Sequence, residues 1–468
     1  MYTQIQRDEL ARKAQMPIEE ELKKELENNS KSGRERIAQY FLKKYSLKTI
    51  GDREKERKLY RFEGGVYVSS EAEIRLELQE MLQEQCSNQV RSEILQKLKD
   101  LSYAKASDFD PPVNFINLSN GTYDLSQNKL LPHDPAKLFM SKIPVSFDPT
   151  ADCPRTKKFL GELLDEEDIP LMQEWFGFCL YRDHFLKKAL IAVGERDTGK
   201  TTLINGLLVK FMGGFENISG ESLQKLGTDK FSAAHLWNKY LNVVDDLAFT
   251  DIKDNGIFKM LTGGSLITGE FKFVGKFQFK NYAKLTYTCN KVPPIKDADD
   301  DAMFSRWIVV EFSKKIEQKD PFILEKITTP EEMSGLLNWS LEGLKRLLNT
   351  FEFSYKKQPE EIKRQMLRSG SSIAKFCYDA LEEVTGEVIS KDSMYESYLV
   401  YVKENNLAAE SKDKLGKCLQ QYSPYVVSRG GKERLWANVA LKVDERKKTE
   451  AEELLAEYEA QMLPFAES

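Results

Sequence analysis

The segment Gly194-Glu195-Arg196-Asp197-Thr198-Gly199-Lys200-Thr201 constrains this chain more than any other, because it fits the pattern G-x-x-x-x-G-K-[ST]. Its glycines let backbone N–H groups wrap a phosphate, Lys200 supplies a cation for the β- and γ-phosphates, and Thr201 offers a hydroxyl to Mg²⁺. The flanks agree with the pattern. Leu190-Ile191-Ala192-Val193 reads as a buried strand leading into the loop, and Thr202-Leu203-Ile204 opens a helix whose N-terminus faces the anion. The pattern alone arises by chance in roughly one chain in a hundred of this length. With strand before and helix after, an incidental glycine-rich turn is a poor account, and the whole stretch from Gly194 to Thr202 is a candidate nucleotide-binding segment.

Such a loop commits its surroundings to an α/β sheet. Between Ala189 and Phe312 the other strand candidates are Tyr240–Val244, Lys284–Thr288 and Trp307–Val310. Buried runs interleaved with helices indicate a sheet covered on both faces. The Tyr240–Val244 run ends in Asp245-Asp246. Two carboxylates at a strand tip suit a Mg²⁺-nucleotide site, one polarising the metal's water shell and the other orienting the attacking water. Thr201 and Asp245 are the candidate metal ligands, with Asp246 nearby. Alone, such a pair reads as a solvated turn; the phosphate loop upstream changes the reading.

The length of 468 residues suits about three domains. With 41% hydrophobic and 31% charged residues the chain reads as globular rather than disordered. No stretch reaches the roughly 20 apolar residues needed to cross a bilayer, and the polar N-terminus is unlike a signal peptide; no membrane partner is expected. Cys86, Cys153, Cys179, Cys289, Cys377 and Cys418 form no C-x-x-C pair and there are only three histidines. That argues against a structural zinc or a disulfide framework and suits a cytoplasmic protein. A net charge of −5 speaks against a coat-like nucleic-acid binder, but leaves room for a local basic surface.

Upstream, residues 1–50 are charged and helix-prone, with Ile37, Tyr40, Phe41 and Tyr45 at helical spacing. Leu59–Phe62 and Val66–Val68 read as a hairpin about Gly64-Gly65. Helices are expected near 71–84 and 88–101, a break at Asp110-Pro111-Pro112, short strands at Phe115–Leu118 and Leu130-Leu131, and helix again from Pro154 to Tyr181.

Four further groups carry a family resemblance: Lys259-Met260-Leu261-Thr262-Gly263-Gly264; Phe271-Lys272-Phe273 with Phe277-Gln278-Phe279; Ala283-Lys284-Leu285 with Asn290; and Pro293-Pro294. Together with the phosphate loop they resemble the superfamily 3 helicases, specifically the poxvirus-type and phage/plasmid primase–helicase branch. Residues 60–180, with Ser119-Asn120-Gly121-Thr122-Tyr123-Asp124-Leu125 and Pro132-His133, resemble the helical domain that precedes the ATPase there. The likeness covers about residues 35 to 442. It implies that Asn290 senses the γ-phosphate and that Arg306 is an arginine finger reaching a neighbouring subunit's nucleotide. It also implies that the Phe271–Phe279 hairpin, legible independently from its period of two, holds DNA in a ring's channel. Departures exist. Ser265 and Glu270 stand where many relatives carry Asp and a basic residue, so the DNA contact falls to Lys272 or Lys276. Ser305 stands where relatives often have a first arginine.

Near the C-terminus, helices about Ile373–Leu381, Met394–Val402 and one capped by Ser411 precede a hairpin with the basic tip Arg429-Gly430-Gly431-Lys432. This looks like a winged helix, in which Lys412, Lys414, Arg429 and Lys432 would meet DNA phosphates; a protein-docking module with solvated lysines is the alternative. A priming domain needs on the order of 200 residues of its own, for which the chain has no room. Asp108-x-Asp110 and Asp297-x-Asp299 read as solvated loops.

The expected fold is an α/β AAA+-like P-loop ATPase core with a mainly helical N-terminal domain and a C-terminal winged helix. The expected segments are 1–110, 111–182, 183–350, 365–443 and an acidic helical tail, 444–468. The expected function is a hexameric ring that uses ATP and Mg²⁺ to translocate on single-stranded and forked DNA in virus or plasmid replication, with priming or synthesis left to a separate primase or polymerase. Two rivals are kept: a P-loop ATPase that loads or remodels replication proteins without unwinding, and a non-catalytic origin binder.

Overall fold

Where apolar residues recur at three and four, the N-terminal region is helical; where they alternate, it is strand. The computed structural model describes residues 18–442, apart from 52–56, 106–108, 110, 230, 246–254, 272–274, 293–300, 317, 406 and 431–433. Helix α1 (Ser30–Lys44) buries Ile37, Ala38 and Phe41, and Asn29 caps it by accepting the Ser32 N–H at 3.1 Å. Strands β1 (Leu47–Ile50), β2 (Lys58–Glu63) and β3 (Val66–Ser69) form an antiparallel sheet. The predicted hairpin is β2–β3, turning through Gly64 and Gly65 at φ +57° and +92°. β1 was not expected, because residues up to 50 read as helix-prone. Its signal is only four residues long, alternating buried Leu47 and Thr49 with half-buried neighbours. Helices α2 (Glu71–Leu82) and α3 (Asn88–Leu101) complete this core through residues such as Leu78, Leu95 and Leu98.

A second antiparallel sheet comes next in the chain: β4 (Phe115–Leu118), β5 (Gly121–Asp124) and β6 (Lys129–Leu131). Ile116, Leu118 and Tyr123 of this sheet join one hydrophobic core with α4 (Pro154–Leu163) and α5 (Asp168–Leu180). The same core also takes in Leu190, Ala192, Ile308 and Val310. Region 111–182 therefore shares one hydrophobic core with the sheet beyond residue 188.

That sheet comprises β7 (Ala189–Val193), β8 (Ile218–Ser219), β9 (Leu241–Val244) and, beyond a hairpin of β10 (Leu266–Phe271) and β11 (Gly275–Lys280), β12 (Lys284–Cys289) and β13 (Trp307–Glu311). Its order is β13-β7-β12-β9-β8, all parallel. All four predicted strands are present; the two-residue edge strand β8 was too short to carry a pattern. Alternation along β7 divides the core. Ala189, Ile191 and Val193 pack with Leu285, Tyr287, Trp307 and Val309 on one face, while Leu190 and Ala192 pack with Ile308, Val310 and α5 on the other.

Helix α6 (Pro330–Thr350) lies against α5 at a distance only glycine permits. A Cβ on Gly177 would sit 2.3 Å from the Ser340 carbonyl oxygen, and one on Gly343 2.4 Å from that of Gln173. Beside this contact the buried Glu174 carboxylate accepts hydrogen bonds from Arg346 Nε at 2.6 Å and from the Ser354 N–H and Oγ, each at 2.7 Å. Helix α7 (Pro359–Gly370) leads to the last module: α8 (Ser372–Ala380), β14 (Leu381–Ser390), α9 (Lys391–Glu404), α10 (Lys412–Tyr422), β15 (Val427–Arg429) and β16 (Leu435–Leu441). The three predicted helices and the hairpin are present, with Ser411 capping α10. β14 was missed because Glu382, Glu383 and Glu387 leave it mostly exposed and polar; it pairs with β16 to give the order β14-β16-β15. Among the described residues no helix is long and apolar enough to cross a membrane.

One buried charge stands out. Lys284, at the start of β12, is fully buried; its Nζ donates to the carbonyls of Tyr181 at 2.7 Å and Tyr282 at 2.8 Å and lies 4.3 Å from the Phe178 ring centre. Burial pushes its ammonium from the ordinary 10.5 down to about 7. Between those values the unfolded chain holds the proton and the native chain does not, so stability rises with pH across that window. His184 is also lowered, by burial first, but it acts below the ordinary histidine range and does not share the window. Thermal unfolding midpoints are therefore expected to rise from pH 7 to pH 9, and to rise less in Lys284→Met. An equal rise in both proteins would show that Lys284 is not the group responsible. At the helix contact, Gly343→Ala is expected to cost about 1–3 kcal/mol in denaturant unfolding, since the added methyl meets backbone.

Candidate functional site

Parallel pairing brings the C-terminal ends of β7, β12 and β9 to one edge. Cys289 lies opposite Val193, and Tyr287 opposite Val244. The Gly194–Thr201 loop leaves β7 at that edge. A Cβ on Gly194 would meet the Phe312 carbonyl oxygen at 2.5 Å, and Gly199 sits at φ +80°, so both glycines are required by the backbone path. Asp197 takes φ +67°, a conformation a short polar residue tolerates. Helix begins at Lys200 and continues as a π-helix over Thr202–Leu208.

Lys200 is 7% exposed. Its Nζ donates to the Gly194 carbonyl at 2.5 Å and the Glu195 carbonyl at 2.6 Å, with Thr198 Oγ1 at 3.4 Å and Asn290 Oδ1 at 3.5 Å. Thr198 Oγ1 donates to the Glu195 carbonyl at 3.0 Å. Across the cleft, Asp245 accepts a 2.6 Å hydrogen bond from Thr288 Oγ1. Arg196, Asp197, Thr198, Gly199, Lys200, Thr201, Thr202, Asp245 and Asn290, with Thr288 and Cys289, line a cleft of about 390 Å³. The structure thus gathers Lys200, Asp245 and Asn290 from three separate motifs; Gly194 and Glu195 contribute the carbonyls that hold Lys200. Asp246 lies outside the described residues. Thr288 was missed by the sequence reading, though a threonine two positions before Asn290 in a buried strand was a usable signal.

Arg306 is not part of this cleft. Its carbonyl oxygen accepts the Ala189 N–H at 2.8 Å, which places it at the start of β13, at the opposite end of the sheet from the loop. Its guanidinium donates to the Ala302 carbonyl. At about 3.3 Å per residue, the length of β7 separates the two by roughly 15 Å.

The predicted hairpin is β10–β11, longer than read because it begins at Leu266. Phe271 pairs with Gly275, so Gly275 and Lys276 are strand residues. Lys272 lies outside the described residues. Lys276 is on β11, opposite Glu270, and not at the tip itself. Trp237 packs against Phe277, ring centres 5.6 Å apart, midway along the hairpin, where Phe277 pairs with Gly269.

In the last module the basic candidates have acidic neighbours. Lys412 pairs with Asp392, and Lys414 with Glu410 at 2.9 Å. Arg429 ends β15 and is exposed; Lys432 lies outside the described residues, as do Asp108, Asp110, Asp297, Asp299 and the tail from 443.

Three family models match the chain. "D5 N terminal like" matches residues 4–165, "Family of unknown function (DUF5906)" residues 192–306, and "Poxvirus D5 protein-like" residues 371–458. No curated protein matches. Among solved structures, an A-form apo structure of the NrS-1 C-terminal region is 15% identical with a TM-score of 0.48, covering 86% of this chain and 98% of that one. A second, of NrS-1 residues 305–718, is 14% identical with a TM-score of 0.47, covering 86% and 99%. The two D5 models flank the cleft-bearing sheet, in agreement with the motif resemblance: the chain is similar to the poxvirus D5 proteins on both sides of that sheet.

Proposed function

We propose that this protein is an ATP-driven replicative DNA helicase of the superfamily 3 type, working as a hexameric ring. The observation that carries the proposal is the convergence of Lys200, Asp245 and Asn290 on one cleft at the C-terminal edge of a parallel sheet. Similarity to the poxvirus D5 proteins supports a role in viral DNA replication. On this reading 183–350 is an AAA+-like P-loop ATPase core, and 365–443 is a winged helix, supported by its three helices and three-stranded sheet. The host cytoplasm is the expected location.

The cleft fits Mg²⁺-ATP by donor chemistry: a lysine with carbonyls as its present partners, threonine hydroxyls at a helix start and a carboxylate opposite. Mg²⁺ would be held by Thr201 and Asp245 and would offset the charge of the transferred phosphoryl group. Lys200 exchanges the carbonyls of Gly194 and Glu195 for β- and γ-phosphate oxygens. Thr288 holds Asp245 in place through its hydroxyl, Asp246 orients the attacking water, and Asn290 donates its amide N–H to the γ-phosphate. Arg306, remote from its own cleft, serves that of a neighbouring subunit. The hairpin carrying Lys272 and Lys276 would follow one DNA strand, and a separate polypeptide would supply priming.

A second reading has its own support. The carboxylate partners of Lys412 and Lys414 weaken the case for DNA contact by α10 and favour protein docking by the last module, as in an ATPase that loads or remodels replication proteins.

Lys200→Ala is expected to abolish ATP hydrolysis while leaving thermal unfolding little changed. Arg306→Ala is expected to bind ATP yet hydrolyse it on the order of 10³-fold more slowly. Mixed rings of the two variants should recover part of the activity, because some interfaces regain both residues. Confirmed mixed rings that stay inactive would overturn the trans role of Arg306. To separate motor from loader, Lys272→Ala, Lys276→Ala and the double variant should keep basal ATPase but lose strand displacement on forked DNA. Unwinding at the wild-type rate in all three would rule out the hairpin as the translocating element.

A further inference from the structure

The phosphate loop carries two carboxylates at its variable positions, Glu195 and Asp197, on a segment proposed to receive a highly anionic ligand. The chain leaving β13 runs back across this loop. The Ile316 N–H donates to the Asp197 carbonyl at 3.2 Å, and Ile316 Cδ1 would lie 3.1 Å from a Cβ placed on Gly199. Lys315 pairs with Glu195 at 3.2 Å and Lys319 with Asp197 at 2.6 Å. Lys314 pairs with Asp165 at 3.4 Å and donates to the Leu164 carbonyl, anchoring the segment to the end of α4. The strap is therefore fixed at three places, and its two remaining lysines each meet one acid of the loop.

We infer that Lys315 and Lys319 are positioning residues for the nucleotide: by pairing with Glu195 and Asp197 they cancel those two carboxylate charges and leave the cations Arg196 and Lys200 of the same loop to meet a polyphosphate. This rests on the ATP reading of the cleft. Surface ion pairs contribute little to stability, so a stabilising role is a weak account of two such pairs on one loop. Their charge, in contrast, acts on any anion entering the cleft: both pairs are solvent-exposed, so the effect is long-range and screened by salt rather than a local desolvated contact. Asp197 is held below the usual carboxylate range, first by its hydrogen bond to Lys319.

The test is steady-state ATPase kinetics on the full chain. Lys315→Gln/Lys319→Gln should raise KM for ATP roughly three- to tenfold, with kcat within about twofold. The KM gap should close toward 1 M salt, where charges are screened within about 3 Å. The quadruple variant that adds Glu195→Gln and Asp197→Asn should bring KM back toward wild type, since the acids to be neutralised are gone. Asparagine suits the positive φ at 197. An unchanged KM in the double variant overturns the inference, as does a quadruple variant no better than the double, which would mean that the lysines touch nucleotide or shape the loop. Wild-type protein that neither binds nor hydrolyses ATP overturns both this inference and the reading beneath it. Wild-type turnover with an indifferent double variant overturns this inference alone.

Discussion

The parallel pairing of β12 with β7 on one side and β9 on the other is the constraint on which the candidate site depends. Parallel strands end at the same edge, so residues far apart in sequence arrive there together without any loop having to reach. Lys200 comes after β7, Asp245 after β9, and Asn290 after the strand between them. The result is a near-continuous set of polar contacts across the edge, from Lys200 to Asn290 at 3.5 Å and from Thr288 to Asp245 at 2.6 Å. Parallel sheets must be covered on both faces. Here the coverage comes from two separate hydrophobic clusters, which alternate residue by residue along β7 and β13.

β12 meets that demand in an unusual way. Leu285, Tyr287 and Cys289 face one apolar cluster, while the alternate residues Lys284, Thr286, Thr288 and Asn290 form a polar row. Each buried member has a partner: Lys284 its two carbonyls, Thr286 the Trp175 Nε1–H at 3.2 Å, and Thr288 the Asp245 carboxylate. Such a row fixes register more strictly than an apolar one. A slip by one residue would turn every side chain to the opposite face and leave Lys284 buried without its acceptors. The penalty for that is steep, because a buried polar group without hydrogen-bond partners costs more than an apolar contact gains. Lys284, distant from the cleft, thus helps to hold Asn290 in position at the far end of the same strand.

The sequence reveals some of this and conceals the rest for identifiable reasons. The loop and the four long strands were readable because their residues obey local rules: glycine where the backbone needs it, and apolar runs where both faces are buried. The helices of both terminal modules were readable from their spacing and from caps such as Ser411. β1 and β8 were too short to show a period, and β14 carries glutamates that an exposed strand tolerates but a pattern search rejects. The hairpin's alternation was visible, but where its strands end was not: a glycine followed by a lysine looks like a turn, while pairing places Gly275 opposite Phe271 and Lys276 opposite Glu270. What no local rule could supply was the company each lysine keeps. Lys412, Lys414, Lys315 and Lys319 are alike in sequence, and each meets a carboxylate only because of how the surrounding segments fold.

The position of Arg306 carries a further consequence for the proposed mechanism. It sits at the N-terminal end of β13, whereas the loop lies at the C-terminal end of the adjacent strand. No rotamer of an arginine spans the length of a five-residue strand, and the packed core between Trp307 and Phe312 leaves no path for the side chain to turn inward. If Arg306 serves a nucleotide, that nucleotide belongs to another copy of the chain. Turnover then requires assembly, and the catalytic set is completed by contact between subunits rather than by closure within one. A motor built this way has coupling between neighbours as part of its geometry: each cleft senses the subunit beside it through a cation it cannot provide for itself.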